Sequence, residues 1–382
     1  MPKASRRDFI SSRTRRSGFT LIEILIVLAV TISLSVAGFL SLGGFRGKQT
    51  LDSVLQEVLA ATRDTQNRSI SQENGLGWNM RFVNSTTSDY RYEIFSGGAY
   101  ASTSVQKLQI LRNNVRWSEP FPSSTYDMKF APINGRPAET KIISLVNKRN
   151  DTFVGDIIVK ALGTIVSRFE NGIVGYFHFD EGAGTTAYDA SGLNNNGQLN
   201  GSPIWQGSAP CKSSACLNFD GINNYIRVLN SNTLNFGTGD FSVGAWIKTT
   251  SVTDSRIIYK YNTNTTRGFM LLINGVPNKA QFQLWSTGGA SQAIVTSVTN
   301  VNDGNWHYVM GVRSGAADYL YVDGAKEASS TAATSDVSGG NDLFIGSDYL
   351  GNKLFNSTID EIKIYNRALT NTEVAERYND LK

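Results

Sequence analysis

Histidine and cysteine are almost absent, with two of each in 382 residues. So small a supply limits any catalytic triad or zinc site. Cys211 and Cys216 are separated by four residues and have neither His178 nor His307 beside them. They read as an intramolecular disulfide of an exported protein. Proline is scarce as well, 8 residues against 36 glycines, while 40% of the chain is hydrophobic and 18% charged. That balance excludes a disordered chain and describes one rich in strands and turns, long enough for two domains plus a membrane segment. A basic domain is also lacking. The net charge is +4, but Lys3, Arg6, Arg7, Arg13, Arg15 and Arg16 stand against Asp8 alone in the first eighteen residues, and the remainder is slightly acidic. Nucleic acid is therefore not an expected partner.

What is present begins with the N-terminus. After the basic run comes S-G-F-T-L-I-E, then an uncharged stretch of nineteen residues from Ile24 to Leu42. As a helix it would span about 28 Å, close to the roughly 30 Å of a bilayer's hydrocarbon core. The preceding positive charges place its start in the cytoplasm and the bulk of the chain outside. An ordinary signal anchor, or a cleavable signal with Ser35-Val36-Ala37 as its cleavage site, would also fit this run. Neither accounts for Glu23, because a carboxylate at the centre of a bilayer costs about 2.5–3.5 kcal/mol and calls for a positive partner. Gly43 and Gly44 are expected to interrupt the apolar helix. Beyond them Leu51, Val54, Leu55, Val58 and Leu59 recur at amphipathic spacing, and Asn74-Gly75 is a fitting stop.

Gly18-Phe19-Thr20-Leu21-Ile22-Glu23 resembles the prepilin processing motif of type IV pilins and type II secretion pseudopilins. The resemblance implies cleavage after Gly18 by a prepilin peptidase, N-methylation of Phe19, and residence in the inner membrane before assembly with other pilin subunits. Glu23 would be the fifth mature residue, paired with the N-terminal amine of a neighbour. Pairing fits the physics, since each charge offsets the other's desolvation.

Between Trp78 and Phe169 the sequence alternates in short strands: Trp78, Met80 and Phe82; Tyr90, Tyr92 and Ile94; Ile142 to Leu145; Ile157 to Val159. Phe130-Ala131-Pro132 with Asn134-Gly135 reads as a turn. A long helix against an antiparallel sheet is the α+β pilin architecture, and the strand order is similar to that of minor pseudopilins. The C-terminal disulfide usual in pilins has no counterpart here. Arg112, Arg116, Lys129, Arg136 and Lys141 could line a phosphate patch, but Glu119, Asp127 and Glu139 interleave with them.

After Glu170-Asn171-Gly172, read as a short junction to a separate all-β sandwich, strands follow one another between Gly, Asn, Asp and Ser turns, from Val174–Asp180 to Ile359–Tyr365. G-Y-F-H-F-D-E-G at 175–182, D-A-S-G at 189–192, L-N-F-D-G at 217–221, F-S-V-G-A-W-I at 241–247, N-W-H-Y-V at 305–309 and I-D-E-I-K-I-Y-N-R-A-L at 359–369 resemble the LamG-like, concanavalin A-type jelly-roll family. Thr370 and Glu373 then form a capping box for a short helix. The resemblance implies a structural calcium ion, for which Asp180 and Asp360 are the candidates, with loop capping by the same carboxylates as the alternative. Hydrolases of this fold carry acid-x-acid-x-acid on one strand face, and no such triplet occurs. Asp180-Glu181 and Asp360-Glu361 are adjacent pairs, expected to point to opposite faces. Trp285, Tyr261 and Trp205 could stack on a sugar or belong to the core.

The expected organisation is a leader (1–18), a transmembrane and assembly helix (19–74), a pilin-like β domain (75–170) and a LamG-like jelly roll (171–382). The expected function is a non-enzymatic minor or tip pilin-like subunit that presents a module for a carbohydrate or protein ligand in surface adhesion. A type II secretion pseudopilin is the alternative.

Overall fold

The computed structural model describes residues 21–382 apart from 86–88, 113, 149–152, 208–209, 263, 276–277, 287–290 and 332–334, and describes the backbone alone at 33–45 and 291–292. Gly18 and Phe19 lie outside the described residues. Two compact units, Met1–Arg46 and Gly47–Lys382, divide the chain.

The first helix, α1, runs Leu21–Ile70 and carries Glu23 in its first turn. Its helical backbone passes through Gly43 and Gly44 without a break, against expectation. Paired glycines weaken a helix by about 1 kcal/mol each, and the backbone stays helical through them all the same. In the first unit every described side chain from Leu21 to Ile32 is exposed, Leu21 at 78% and Val27 at 62%. Among the described residues no helix is long and apolar enough to cross a membrane. The run Ile24–Leu42 lies partly outside them.

In the second unit the same helix turns amphipathic as expected. Leu51, Val54, Leu55, Val58 and Leu59 are buried, each contributing about 1.5–3 kcal/mol relative to exposure. They pack on two antiparallel four-stranded sheets rather than the one expected. Their orders are Val105–Ile110, Arg91–Ser96, Trp78–Val83, Thr125–Lys129 and Val115–Glu119, Lys141–Asn147, Phe153–Val159, Ile165–Asn171. The sheet approaches α1 closely at Gly155, where a Cβ would stand 3.2 Å from the Leu55 side chain. In the second sheet, Ile143, Leu145, Ile157 and Val159 join the helix-side core, whereas Ile142, Val146, Val154 and Ile158 face the other way and are also buried. A strand buried on both faces reads as a nearly continuous apolar run, which is why Ile142 to Val146, broken only by Ser144, shows no regular alternation.

Residues 173–365 form the jelly roll. One sheet orders Thr186–Ala187, Gly197–Asn200, Tyr225–Val228, Leu343–Ile345, Ser255–Asn262, Arg267–Asn274, Lys279–Trp285 and Ser291–Asn300. The other orders Ile204–Gln206, Cys216–Asp220, Asn356–Tyr365, Phe241–Lys248, Trp306–Ser314, Ala317–Val322 and Ala325–Thr331, with Ile173–Phe177 paired to Asn356–Tyr365. The core between them centres on Phe241, whose ring lies 4.9 Å from that of Phe269 and 5.9 Å from that of Phe282. A second helix, α2 (Asn371–Leu381), starts at the expected capping box: Thr370 Oγ1 accepts from the Glu373 amide and Glu373 accepts from the Thr370 amide at 2.9 Å.

The sandwich does not stand apart. Strand Ile165–Asn171 passes through Gly172 directly into Ile173–Phe177, and both sides of the junction belong to one compact unit.

Candidate functional site

The jelly roll has two outer faces with opposite environments. On the sheet that contains Phe241–Lys248, alternation sends Val243, Ala245 and Ile247 into the sandwich and Trp246 outward. Tyr176, Tyr308, Met310 and Tyr365 also point outward, yet all are buried, because Ile142, Val146, Val154 and Ile158 of the pilin-like sheet and Leu369, Val374 and Leu381 around α2 lie against them. Trp246 stacks on Tyr378 of α2 at 5.5 Å, and Lys212 sits 4.0 Å over its ring.

Ionic groups are buried within this contact. Glu170, at the end of the pilin-like sheet, accepts from Lys363 at 3.0 Å, Arg377 at 2.5 Å and Tyr365 at 2.9 Å. Burial alone would push its carboxyl up, but the two cations outweigh it and hold the value down at about 2. Arg168 clamps α2 through Asp380 and Glu376 at 2.7 and 2.5 Å. Nearby, Ser144 bonds Asp156 at 2.6 Å and lies 3.2 Å from His178 Nε2, while His178 Nδ1 is 2.9 Å from Glu361. Burial disfavours an imidazolium there, yet the charge and hydrogen bond of Glu361 prevail and push His178 up to about 9.

Asp360 and Glu361 were expected on opposite faces and are not. Pairing shifts by one residue opposite Gly244 and Trp246, and Glu361 takes a left-handed backbone with φ 49°. The bulge turns both carboxylates toward the pilin-like sheet, 0% and 1% exposed. Asp360 accepts from the amides of Lys212 at 2.9 Å and Ser213 at 3.3 Å, and Asp180 from that of Ala215 at 2.8 Å. Both calcium candidates thus cap the loop closed by the Cys211–Cys216 disulfide, whose Cα atoms are 5.5 Å apart. Three N–H donors suit bare carboxylates better than a cation. Among the described residues no group of three His, Cys, Asp or Glu side chains is placed to hold a metal ion. The same loop touches the pilin-like sheet, through Ser214 to Lys141 and Thr140.

The other outer face is bare of packed elements among the described residues and carries its own cluster. Cross-strand registers set Arg227, Phe344, Tyr259, Met270, Gln283 and Ile294 side by side in one row. Tyr259, Met270, Leu272 and Phe344 form its floor, with Tyr225, Tyr261 and Trp285 partly exposed around them. Tyr349, 37% exposed, stacks on Tyr259 at 6.4 Å from a loop. Tyr261 and Trp285 flank Gly268 in register and meet over it edge to face, centroids 5.6 Å apart. Of the three aromatics singled out in the sequence, Tyr261 and Trp285 are therefore together, and Trp205 is not. It packs against the sandwich core and donates to Gly184 O at 3.0 Å. His307 bonds Asp323 and Asp303 locally at 2.8 and 3.1 Å.

Residues 13–43 match the prokaryotic N-terminal methylation motif, and residues 220–375 match the concanavalin A-like lectin/glucanases superfamily. The chain thus joins a prepilin-type N-terminus to a concanavalin A-like jelly roll. Among solved structures it is similar to the binding domain of Paraclostridial Mosquitocidal Protein 1, with 14% identity over 55% of this chain and 52% of that one and a TM-score of 0.47. The binding domain of botulinum neurotoxin DC in complex with SialylT is similar with the same identity and coverage at 0.45. The chain spans about half the length of these two. Domain 4 of AbnA, a GH43 extracellular arabinanase from Geobacillus stearothermophilus, in complex with arabinotriose, is similar with 17% identity over 55% of this chain and 98% of that one at 0.43. No curated protein matches.

Proposed function

We propose that the chain is a minor or tip subunit of a type IV pilus-like filament, cut after Gly18 by a prepilin peptidase, methylated at Phe19, and presenting its jelly roll for surface adhesion. The carrying observation is the match to the methylation motif over residues 13–43. The state of α1 supports it. An apolar helix exposed on every side over Leu21–Ile32 must be covered by lipid before assembly and by other subunits after it. Glu23, in the first turn, would then meet the N-terminal amine of the next subunit. A jelly roll on every subunit would crowd a helical filament, which favours a rare subunit over a major one.

The reading is non-enzymatic. Asp360 and Glu361 lie beneath the pilin-like sheet rather than across an open cleft, which glycoside hydrolysis requires. Calcium remains a separate proposal. It would require Asp180 and Asp360 to exchange their amide partners for the ion, and an unchanged melting temperature on calcium addition would remove it.

Mass spectrometry of the exported protein tests the processing: the expected N-terminus is N-methylated Phe19, and any other start defeats filament membership. A type II secretion pseudopilin would share that terminus. Deleting the chain separates the two, since loss of adhesion with intact secretion supports the pilus, and the reverse supports the pseudopilus.

A further inference from the structure

The bare outer face of the jelly roll has a chemistry more particular than an apolar patch. Along Lys279–Trp285 every second side chain faces outward, giving Gln281, Gln283 and Trp285 at intervals of about 6.8 Å. They are linked in one direction. Trp285 Nε1 donates to Gln283 Oε1 at 3.2 Å, Gln283 Nε2 to Gln281 Oε1 at 2.8 Å, and Gln281 Nε2 to Thr296 Oγ1 at 3.0 Å. Each amide nitrogen keeps a second N–H, and each amide oxygen keeps a lone pair. The ladder therefore offers donors and acceptors in alternation, all on half-buried side chains.

At its end stands the corner made by Tyr261 and Trp285, whose rings are inclined by 64°. Ionised groups keep to the margin: Arg227 pairs with Asp342 at 2.6 Å and Arg256 with Asp254 at 2.5 Å, while Lys279, at the far end of the same strand from Trp285, donates to Val298 O.

We propose that this face binds a neutral oligosaccharide, with a sugar ring against the Tyr261–Trp285 corner and hydroxyls on the Gln281–Gln283 ladder. A sugar hydroxyl donates and accepts at once, as the ladder does, and the apolar face of a pyranose or furanose ring suits an aromatic wall. The three outward positions span about 14 Å, room for a short oligosaccharide rather than one ring. The corner and the ladder themselves carry no charge, which argues against acidic glycans. A protein partner finds little to bury at the centre of the face: the floor residues Tyr259, Met270, Leu272 and Phe344 are 2–9% exposed and the exposed Ile294, at 49%, stands at the end of the row, whereas a stable interface covers about 1,600 Å² in total. The inference rests on the reading of the jelly roll as the binding module.

The test is binding of the full mature protein in detergent to an array of neutral gluco-, xylo-, arabino- and chito-oligosaccharides beside sialylated and sulfated ones. Titration of the best neutral ligand then follows for Trp285→Ala, Gln283→Ala and, on the opposite sheet, Lys326→Ala. The expected result is neutral binding weakened about tenfold or more by Trp285→Ala, about threefold by Gln283→Ala and not by Lys326→Ala. Gln283→Ala keeps the test open should Trp285→Ala misfold. No neutral binding, a preference for the acidic glycans, or equal affinity in Trp285→Ala and Gln283→Ala overturns it. Failure of the wider reading looks different: cells lacking the whole chain would adhere normally. If the deletion abolishes adhesion and Gln283→Ala and Trp285→Ala preserve it, this site is wrong and the adhesin stands.

Discussion

The two outer faces of the jelly roll carry similar side chains and lead opposite lives. Trp246, Tyr308 and Tyr365 on one, and Trp285, Tyr261 and Tyr225 on the other, are all outward-facing strand aromatics. The first set is covered by the pilin-like sheet and α2, and buried ionic groups lock it there through Glu170, Lys363 and Arg377. The second has only a loop and an amide ladder beside it. An outward aromatic is therefore not a binding group by its type. What distinguishes a mount from a binding surface is whether another element of the chain already covers it.

That contrast can be broken by substitution. The largest effect belongs to Glu170→Ala, which takes the nearest carboxylate from two buried cations and leaves Lys363 with Asp156 at 3.9 Å and Arg377 with Glu376 at 3.6 Å. It should cost about 3–5 kcal/mol in chemical denaturation, and a smaller loss would mean the clamp is not what fixes the mount. Trp246→Ala should cost a similar amount, about 3–5 kcal/mol, while Trp285→Ala should cost under about 1 kcal/mol and act on ligand binding instead. Equal costs for the two tryptophans would erase the distinction between the faces. Cys211→Ser with Cys216→Ser, opening a loop with a sequence separation of 5, should remove about 2 kcal/mol by the chain-entropy relation. A melting temperature unchanged by that pair would show that Asp180 and Asp360 hold the loop alone.

A pH dependence confined to the mount is expected as well. His178 sits at about 9 in the fold against 6.5 when free. A raised value means that its contribution is complete below pH 6.5 and is lost as pH rises through about 9. Melting temperature should fall by a few degrees across that window, and the fall should shrink in His178→Gln.

Much of this was legible in the chain. The strands rich in Val, Ile, Phe and Tyr stand where alternation put them, and the capping box at Thr370 and Glu373 starts α2 as expected. Ala325–Thr331, made of polar and small residues, and Val105–Ile110, whose Val105, Leu108 and Ile110 do not alternate strictly, were not legible, because their partners rather than their own side chains make them strands. The mount was hidden for a different reason. Outward residues such as Tyr176, Trp246 and Lys363 look like any exposed strand face until a second sheet covers them. The bulge that brings Asp360 and Glu361 to one side has no local signal, since neither residue is a glycine. The apolar runs Ile142 to Val146, broken only by Ser144, and Ile157 to Val159 were the available hints that this sheet is covered twice.

Hydroxyl-radical footprinting of the intact mature protein, read by mass spectrometry at single aromatic side chains, addresses the difference between the faces directly. Trp285, Tyr261 and Tyr349 should oxidise readily while Trp246, Tyr308 and Tyr365 stay protected. Comparable oxidation of Trp246 and Trp285 would contradict the assignment of one face as mount and the other as binding surface.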